Sequence, residues 1–358
     1  MNISPQVPGS VEGQIDYPTS HSSIILGRQD YLSVVMRLIG MELYKLRRRR
    51  MSKVIGSIAI ALALLPFLLV AFGTYVTANQ PAQDFMPTCQ SQPVSGNQPQ
   101  VGQPNCPTLS PAQAAALRQA SVQATSSPLR LPDSLNIAVQ FALIAGTILV
   151  IILVGTVAGG EYSTGTIRLL FIRGPTRTQY LLGKLGASFA IIFVGLLLMA
   201  ILGVLAGQLF NPLSGFAQSS SFWSIGWFGH MLLYLLIAMF NWFMFAAMAI
   251  FFATLGRSTV AGVVGGITWF FVEPILGSLL ALVGFFNHGS LGDFLKAIPD
   301  YFIMNNFNAL LNDQSQSLFG SSTIPTVSSI HAIIVLLVYF ALFIGLAWWI
   351  NQRRDVTN

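Results

Sequence analysis

Six long runs of apolar residues constrain what this chain can fold into more than any other feature of its sequence. Each run is apolar nearly throughout and lacks the alternation of a β-barrel strand. About 20 such residues in a helix suffice to cross the hydrocarbon core of a bilayer. Only 8% of the 358 residues are charged, against roughly 25% in a soluble domain. The sequence therefore predicts an all-α integral membrane protein with six transmembrane helices. The predicted spans lie at about 54–77, 136–158, 185–209, 230–255, 259–283 and 331–350.

The lysines and arginines predict the orientation of these spans, because positive residues are retained on the cytoplasmic side of a membrane. With the N-terminus in the cytoplasm, eight of them precede the first span, four follow the second, one follows the fourth and two follow the sixth. This orientation places 15 of the 18 inside. Both termini are therefore predicted to be cytoplasmic, with exterior segments at 78–134 and 284–330 and a cytoplasmic tail at 351–358.

Two segments precede the first span. Residues 1–28 are polar and contain several Pro, Gly and Ser residues, which predicts a disordered cytoplasmic tail. Residues 29–53 repeat apolar side chains at helical spacing and end in a block of positive charge. This pattern predicts an amphipathic helix lying on the inner leaflet. The alternative is a cytoplasmic extension of the first membrane helix.

The first exterior segment, 78–134, contains both cysteines of the chain, Cys89 and Cys106. An exterior location allows a disulfide between them. The alternative is a pair of unpaired thiols.

The second exterior segment contains an apolar piece from Phe294 to Leu311, interrupted by Pro299 and Asp300. It is too short and too polar to span a bilayer. We expect a helix that lies at the outer interface or dips partway into the membrane.

The cytoplasmic loop between the second and third spans predicts a short helix at 165–173, of about two and a half turns. Thr164 or Thr166 can cap its start, and Gly174 can end it in a left-handed conformation. Pro175 prevents its continuation.

The next helix also has a start signal. Thr176 and Gln179 have the spacing of a capping box, which predicts a helix running into the third span. The short helix before it would expose Arg168 and Arg173 to the cytoplasm. Because this short helix would lie between the second and third spans, it could transmit a movement of a soluble partner to both spans.

This loop resembles that of the membrane subunits of type-2 ABC transporters. A basic amphipathic segment before the first span, an exterior domain after it, and Leu295 to Pro299 before the last span agree with that family. The resemblance covers about residues 29–354. The matching positions are Gly160-Glu161, Gly165-Thr166, Leu169-Leu170, Pro175, Arg177, Tyr180 and Gly183-Lys184.

The resemblance implies that residues 54–350 form a six-span permease domain of an exporter, multi-pass in the plasma membrane of a prokaryotic cell. It implies pairing with a second copy or a related permease, and with cytoplasmic ABC ATPase subunits. In that family the loop between the second and third spans contains the helix that docks onto the ATPase. By the resemblance, this role falls to Glu161, Thr166, Arg168, Pro175 and Arg177. The alternative is that Glu161 caps a helix start and the arginines hold lipid phosphates.

ATP hydrolysis is not expected in this chain. Gly183-Lys184 is followed by Leu185, and Thr178 stands where the first glycine of a P-loop is required. ATP and Mg²⁺ are therefore expected on the partner ATPase, and no cofactor, metal or nucleic acid on this chain. The four histidines are scattered without metal-ligand spacing.

Glu273, followed by Pro274, lies in the outer half of the fifth predicted span. A carboxylate inside a bilayer is costly, so a substrate-path or proton site is the default hypothesis. The alternative is that the span ends earlier and Glu273 lies in interfacial water.

Three G-x-x-x-G pairs, Gly155/Gly159, Gly203/Gly207 and Gly262/Gly266, favour close helix packing within the chain over a dimer contact.

Three other functions remain as alternatives to an ABC permease, and a receptor or assembly scaffold is one of them. An intramembrane enzyme would need converging ionisable residues inside the spans, which Glu273 alone does not supply. An ion-coupled secondary transporter typically shows internal repeats and broken helices with charges near mid-membrane, and the two halves of this sequence show no convincing repeat.

Overall fold

A computed structural model describes residues 31–80, 110–172, 175–214, 223–287, 289–320 and 327–353. In these ranges every regular element is a helix, which confirms the all-α fold class for the described residues. The helices in chain order are α1 Tyr31–Arg48, α2 Arg50–Asn79, α3 Pro111–Ser126, α4 Asp133–Phe141, α5 Thr147–Ser163, α6 Ile167–Ile172, α7 Arg177–Ser214, α8 Ile225–Gly256, α9 Thr259–Phe286, α10 Ser290–Ala297, α11 Ile303–Phe319 and α12 Ser329–Arg353.

Six of the described helices are long and apolar enough to cross a membrane, the number that the sequence predicts. They are α2, the continuous pair α4–α5, α7, α8, α9 and α12, and each contains one predicted run. The helices extend a few residues beyond the apolar runs because backbone hydrogen bonding continues into the polar flanks.

Helix α8 lies at the centre of the bundle and packs against α5, α7, α9, α11 and α12. Its central part has small side chains, Ala246 and Ala249 among them, with no exposed surface. Beside it, a π turn at Ala142–Gly146 joins α4 to α5. The Trp242 indole donates to the carbonyl of Ala142 at 3.2 Å and occupies the space that a side chain at Gly146 would need. This contact attaches α8 to the π turn.

The three glycine pairs all pack inside the chain, as predicted. A Cβ at Gly159 would lie 2.4 Å from Cα of Thr259, so α5 and α9 touch backbone to backbone there. A Cβ at Gly207 would lie 2.4 Å from Oγ of Ser134 in α4. The small residues therefore set the distance between neighbouring helices.

Helix α1 packs against α7. Gly183 and Gly186 of α7 face Leu38 and Ile39 of α1, and a Cβ on either glycine would clash with those side chains. Arg49, with φ −71° and ψ 129°, interrupts the helix between α1 and α2. The amphipathic segment is thus a helix in its own right that docks on the third membrane helix.

The chain after α9 folds back along α9 into the bundle. Gly284 lies against Lys296 of α10, and Gly277 lies against Phe302. Helix α11 then returns between α8 and α12, where Phe307 has no exposed surface. The second part of the apolar piece is therefore buried in the bundle, whereas its position relative to the outer interface stays a prediction.

Several predicted features lie outside the described residues. These are the tail at 1–28, the cysteines Cys89 and Cys106, Arg173, Gly174, and 354–358 of the C-terminal tail. Of segment 78–134, α3 is described. It begins with a capping box between Ser110 and Gln113, and Arg118 donates to the carbonyl of Ala78 at the end of α2.

Replacing Gly159 with Ala should lower the free energy of unfolding by about 1–3 kcal/mol, because the new methyl group meets the backbone of α9. The matched control is Gly345→Ala in α12, where a Cβ meets nothing within 4 Å. That change should be neutral or stabilise by up to about 1 kcal/mol. Denaturant titration in detergent measures both, and equal effects would contradict the backbone contact.

Candidate functional site

The loop between α5 and α7 begins with a left-handed turn at Gly165, which has φ +68°. The amide of Gly165 donates to the carbonyl of Tyr162, and the hydroxyl of Thr164 donates to the carbonyl of Gly160. Both contacts finish α5. Thr164 therefore caps the end of α5 and not the start of α6, and Gly165 lies outside α6.

As a result α6 begins at Ile167 and runs, within the described residues, to Ile172. The predicted start at 165 was wrong because Gly165 takes the helix-ending conformation that the prediction gave only to Gly174. The predicted end falls on Arg173 and Gly174, which lie outside the described residues. Thr166 directly precedes α6 and is exposed.

The capping box at the start of α7 is confirmed. The amide of Thr176 donates to Oε1 of Gln179 at 2.9 Å, and the amide of Gln179 donates to Oγ1 of Thr176 at 3.2 Å. The loop thus enters α7 through a fixed turn.

Four charged residues meet beneath the loop, and we call them the charge cluster: Glu42, Lys45, Glu161 and Lys184. Nζ of Lys45 lies 3.0 Å from Oε1 of Glu42 and 2.8 Å from Oε1 of Glu161. Nζ of Lys184 lies 3.1 Å from Oε2 of Glu42 and 3.2 Å from Oε2 of Glu161. Each carboxylate therefore contacts both ammonium groups, and the cluster is formally neutral.

Lys184 is the most deeply buried member of the charge cluster, with 3% of its side chain exposed. Besides the two carboxylates, its Nζ donates to the carbonyl of Val157 in α5 at 3.1 Å. The approach to Oε2 of Glu161 is an ion pair without hydrogen-bond geometry, so the charge of Glu161 and not a hydrogen bond pairs this side of the ammonium. The ring of Tyr180 lies 5.4 Å from the same nitrogen and adds a cation–π contact. A buried ammonium is tolerated when it is fully paired in this way.

Lys45 closes the charge cluster on its more exposed side. Burial lowers the pKa of Lys45, but the hydrogen bond and charge of Glu161, together with those of Glu42, raise it further. The net result is a pKa above the ordinary value, so Lys45 is protonated at neutral pH. The charge cluster connects α1, α5 and α7 through side chains of all three helices.

The far end of the loop is attached to the last helix. Nη1 of Arg177 donates to the carbonyls of Asn351 and Gln352, each at 2.8 Å. Nδ2 of Asn351 donates back to the carbonyl of Arg177 at 3.0 Å. Since a cation at a helix C-terminus is favourable, this contact joins α7 firmly to the end of α12.

The predicted coupling residues therefore differ in burial and in the helices that they contact. Glu161 is buried, at 7% exposure, in the last turn of α5, so the alternative that it caps a helix start is wrong. Arg177 contacts α12, Thr166 is exposed and Pro175 is partly exposed. Arg168 belongs to α6, but its side chain lies outside the described part of the structure.

Sequence reasoning missed the partners of Glu161. Glu42 had a detectable signal, because it is the only acidic residue from 31 to 53 and stands three positions before Lys45. Lys184 was part of the family pattern without an assigned role. Their contact depends on how α1 docks on α7, which local patterns do not contain.

Glu273 lies away from the loop, in the middle of α9, and is 6% exposed. Its Oε2 accepts from the indole of Trp269 at 2.7 Å, and its Oε1 accepts from the amide of Met304 at 2.8 Å. Met304 is in the first turn of α11. Glu273 thus caps a buried helix start from a neighbouring helix. Helix α9 continues past Glu273 to Phe286. A path or proton site and a position in interfacial water both stay predictions.

The architecture fits a multi-pass membrane protein of the all-α class. Residues 125–357 match the family described as Protein of unknown function (DUF2705). The match covers more than half of the chain, so the chain belongs to this family. A comparison with curated proteins found no match. The matched region contains the loop, Glu161, Lys184 and Glu273, whereas Glu42 and Lys45 lie before it.

Replacing Lys184 with Met should lower the free energy of unfolding by about 3–5 kcal/mol, because two buried carboxylates would then share one ammonium. Adding Glu42→Gln should recover part of that loss, since it restores the charge balance. Lys53→Met, at an exposed position, is the control and should change stability by less than about 0.5 kcal/mol. Denaturant titration in detergent measures the free energy of unfolding of each variant. A loss of stability in Lys184→Met no larger than that in Lys53→Met would refute a tightly paired cluster.

Replacing Glu273 with Gln should destabilise the protein by about 1–3 kcal/mol, because the amide group turns a donor toward one of two N–H groups. Trp269→Phe removes one of those donors. In the double variant, the loss of stability should be smaller than the sum of the losses in the two single variants. Thermal unfolding of the single and double variants measures this coupling. If Glu273→Gln left the melting temperature unchanged, the capping role would be wrong.

Proposed function

We propose that this chain is the membrane-spanning permease subunit of an ATP-driven ABC transporter that works as an exporter. Two permeases, either two copies or a related pair, form the substrate path. Separate cytoplasmic ATPase subunits bind ATP and Mg²⁺ and supply the energy. This chain contributes the path and the loop at 160–177 that receives the movement.

The observation that carries the proposal is the attachment of this loop at both ends. The charge cluster fixes its start to α1, α5 and α7. Arg177 fixes its end to α12. A push on α6 therefore acts on four helices together, three of which belong to spans. Such stiffness is what a mechanical connection to a soluble motor requires.

The middle of the loop offers surface for a partner. Ile172, at the end of α6, is 80% exposed, a high value for a large apolar side chain. Thr164, Gly165 and Thr166 are exposed beside it. In protein interfaces a few such apolar groups supply most of the binding energy. The docking role thus fits this exposed part, while Glu161 and Arg177 act by holding it in place.

The proposed orientation places the loop, α1 and both termini in the cytoplasm of a prokaryotic cell, with α1 at the inner leaflet. The distribution of positive charge supports it. The exposed apolar face of α1, with Leu32 69% and Met36 60% exposed, suits contact with lipid.

The competing functions receive less support from the described residues. A secondary transporter would need a carboxylate free to exchange its ion, whereas both oxygens of Glu273 accept hydrogen bonds within the bundle. An intramembrane enzyme would need several ionisable groups converging in the spans, and Glu273 is joined there by Trp269 and a backbone amide.

Ile172→Asp tests the proposal. In mild detergent, affinity purification of the wild-type chain should recover an ATPase subunit, and the variant should bind it roughly 30-fold more weakly, as for an interface hot spot of about 2 kcal/mol. Ile172→Val keeps the apolar contact and should bind like wild type. Both variants should unfold at the wild-type temperature, since the side chain is exposed. Equal recovery of the ATPase with all three proteins would contradict docking through α6.

A further inference from the structure

Three neighbouring helices each contain an irregular point at a similar depth in the bundle. Helix α2 contains Pro66, the α4–α5 pair contains the π turn, and α7 contains Gly195. Counted from the end of each helix that is nearest the loop, Pro66 is residue 17, Gly146 is residue 18 and Gly195 is residue 19. At about 1.5 Å per residue, each point lies roughly 25–28 Å along its helix.

Contacts between the helices show that these points meet. The Trp242 indole of α8 occupies the space that a Cβ at Gly146 would need, and it lies 3.4 Å from where a Cβ at Gly195 would be. A small cavity of about 10 Å³ lies between α2, the π turn and α7. Its lining includes Leu62 of α2 and Met199 of α7.

Each irregular point weakens its own helix. Pro66 has no N–H group, so the carbonyl of Leu62 lacks its donor within α2. The π turn interrupts the regular hydrogen-bond pattern between α4 and α5. A glycine inside a helix, such as Gly195, costs about 1 kcal/mol relative to alanine. Bending at this depth should therefore cost less than bending elsewhere in these helices.

Beyond this depth the same helices form a hydrophobic cluster of their own. Phe67 and Leu129 have no exposed surface, and they pack with Ala138 and Ala206. All these residues lie on the side away from the loop. We call this part of the structure the distal unit: α2 after Pro66, the 3₁₀ turn Ser127–Leu129, α4, and α7 after Gly195.

Hydrogen bonds attach the distal unit to the central helix. The hydroxyl of Tyr234 in α8 donates to Oδ1 of Asn136 in α4 at 3.0 Å. The same oxygen accepts from Nε2 of Gln140 at 3.2 Å. The Tyr234 side chain has no exposed surface, so water does not compete for these bonds. One phenol thus holds α4 in its position against α8.

We infer that the distal unit is a hinged segment that moves as one body relative to α8. Pro66, the π turn and Gly195 form its hinge, and Tyr234 is the latch that holds it in the present position. A bend of about 10° would displace the end of α2 by about 3 Å, since the helix beyond Pro66 is roughly 20 Å long. The inference goes beyond the proposed function and does not depend on an ATPase.

The test is double electron–electron resonance on the full chain in nanodiscs of phosphatidylcholine, with the native cysteines replaced by serine. One spin-label pair, at Tyr75 and Ile330, measures the distance from the distal unit to the start of α12. The second pair, at Val54 and Trp349, joins the same two helices near the loop. All four side chains are exposed.

Tyr234→Phe removes the latch hydroxyl. It should shift or broaden the distance distribution of the first pair by about 3 Å, and leave the second pair within about 1 Å of wild type. Adding Pro66→Ala, which restores an N–H donor in α2, should reduce that change. Gln140→Met, which removes one of the two hydrogen bonds, should produce a smaller change in the same direction.

The matched control is Tyr339→Phe, which removes a hydroxyl from α12 outside the distal unit. It should leave both distance distributions unchanged. Thermal unfolding confirms that each variant is folded. Three results would overturn the inference: no change in the first pair with either latch variant, an equal change in both pairs, or the same change with Tyr339→Phe.

Discussion

Two carboxylates and two ammonium groups, each in contact with both opposite charges, hold α1, α5 and α7 together beside the loop. Taking charges out of water is costly, so the arrangement is stable only when all four are present. Glu42 comes from α1, Glu161 from α5 and Lys184 from α7. Docking of α1 therefore supplies the second carboxylate and the second ammonium that complete the cluster. The position of the loop, and with it any surface the loop offers, depends on this neutral cluster.

The sequence predicted the spans well because a bilayer sets strict demands on length and polarity. It also predicted the start of α7, since Thr176 and Gln179 satisfy each other within one turn. The start of α6 was misplaced, because local sequence does not show that Gly165 adopts the left-handed turn that ends α5. The pairing of Glu42 with Lys184 was out of reach, because it arises from helix docking that glycines at 183 and 186 permit.

Glu273 shows why a charge inside a span is an ambiguous sign of function. Its burial fitted the expectation of a path or proton site. The structure gives it another task, because α11 begins inside the bundle and its first amides need an acceptor. Met304 and Trp269 supply the donors that keep the carboxylate paired. The sequence contained no sign of this role, since the helix start is 31 residues away along the chain.

The π turn at Ala142–Gly146 has a consequence for how the bundle can move. Helix α4 packs mainly on α7, whereas α5, its direct continuation, packs mainly on α8 and α9. One long apolar helix is thus divided between two packing units, and the division falls at the π turn, where the regular α-helical hydrogen-bond pattern is interrupted. A relative displacement of the two units would bend the chain at these five residues and leave the helices on either side intact.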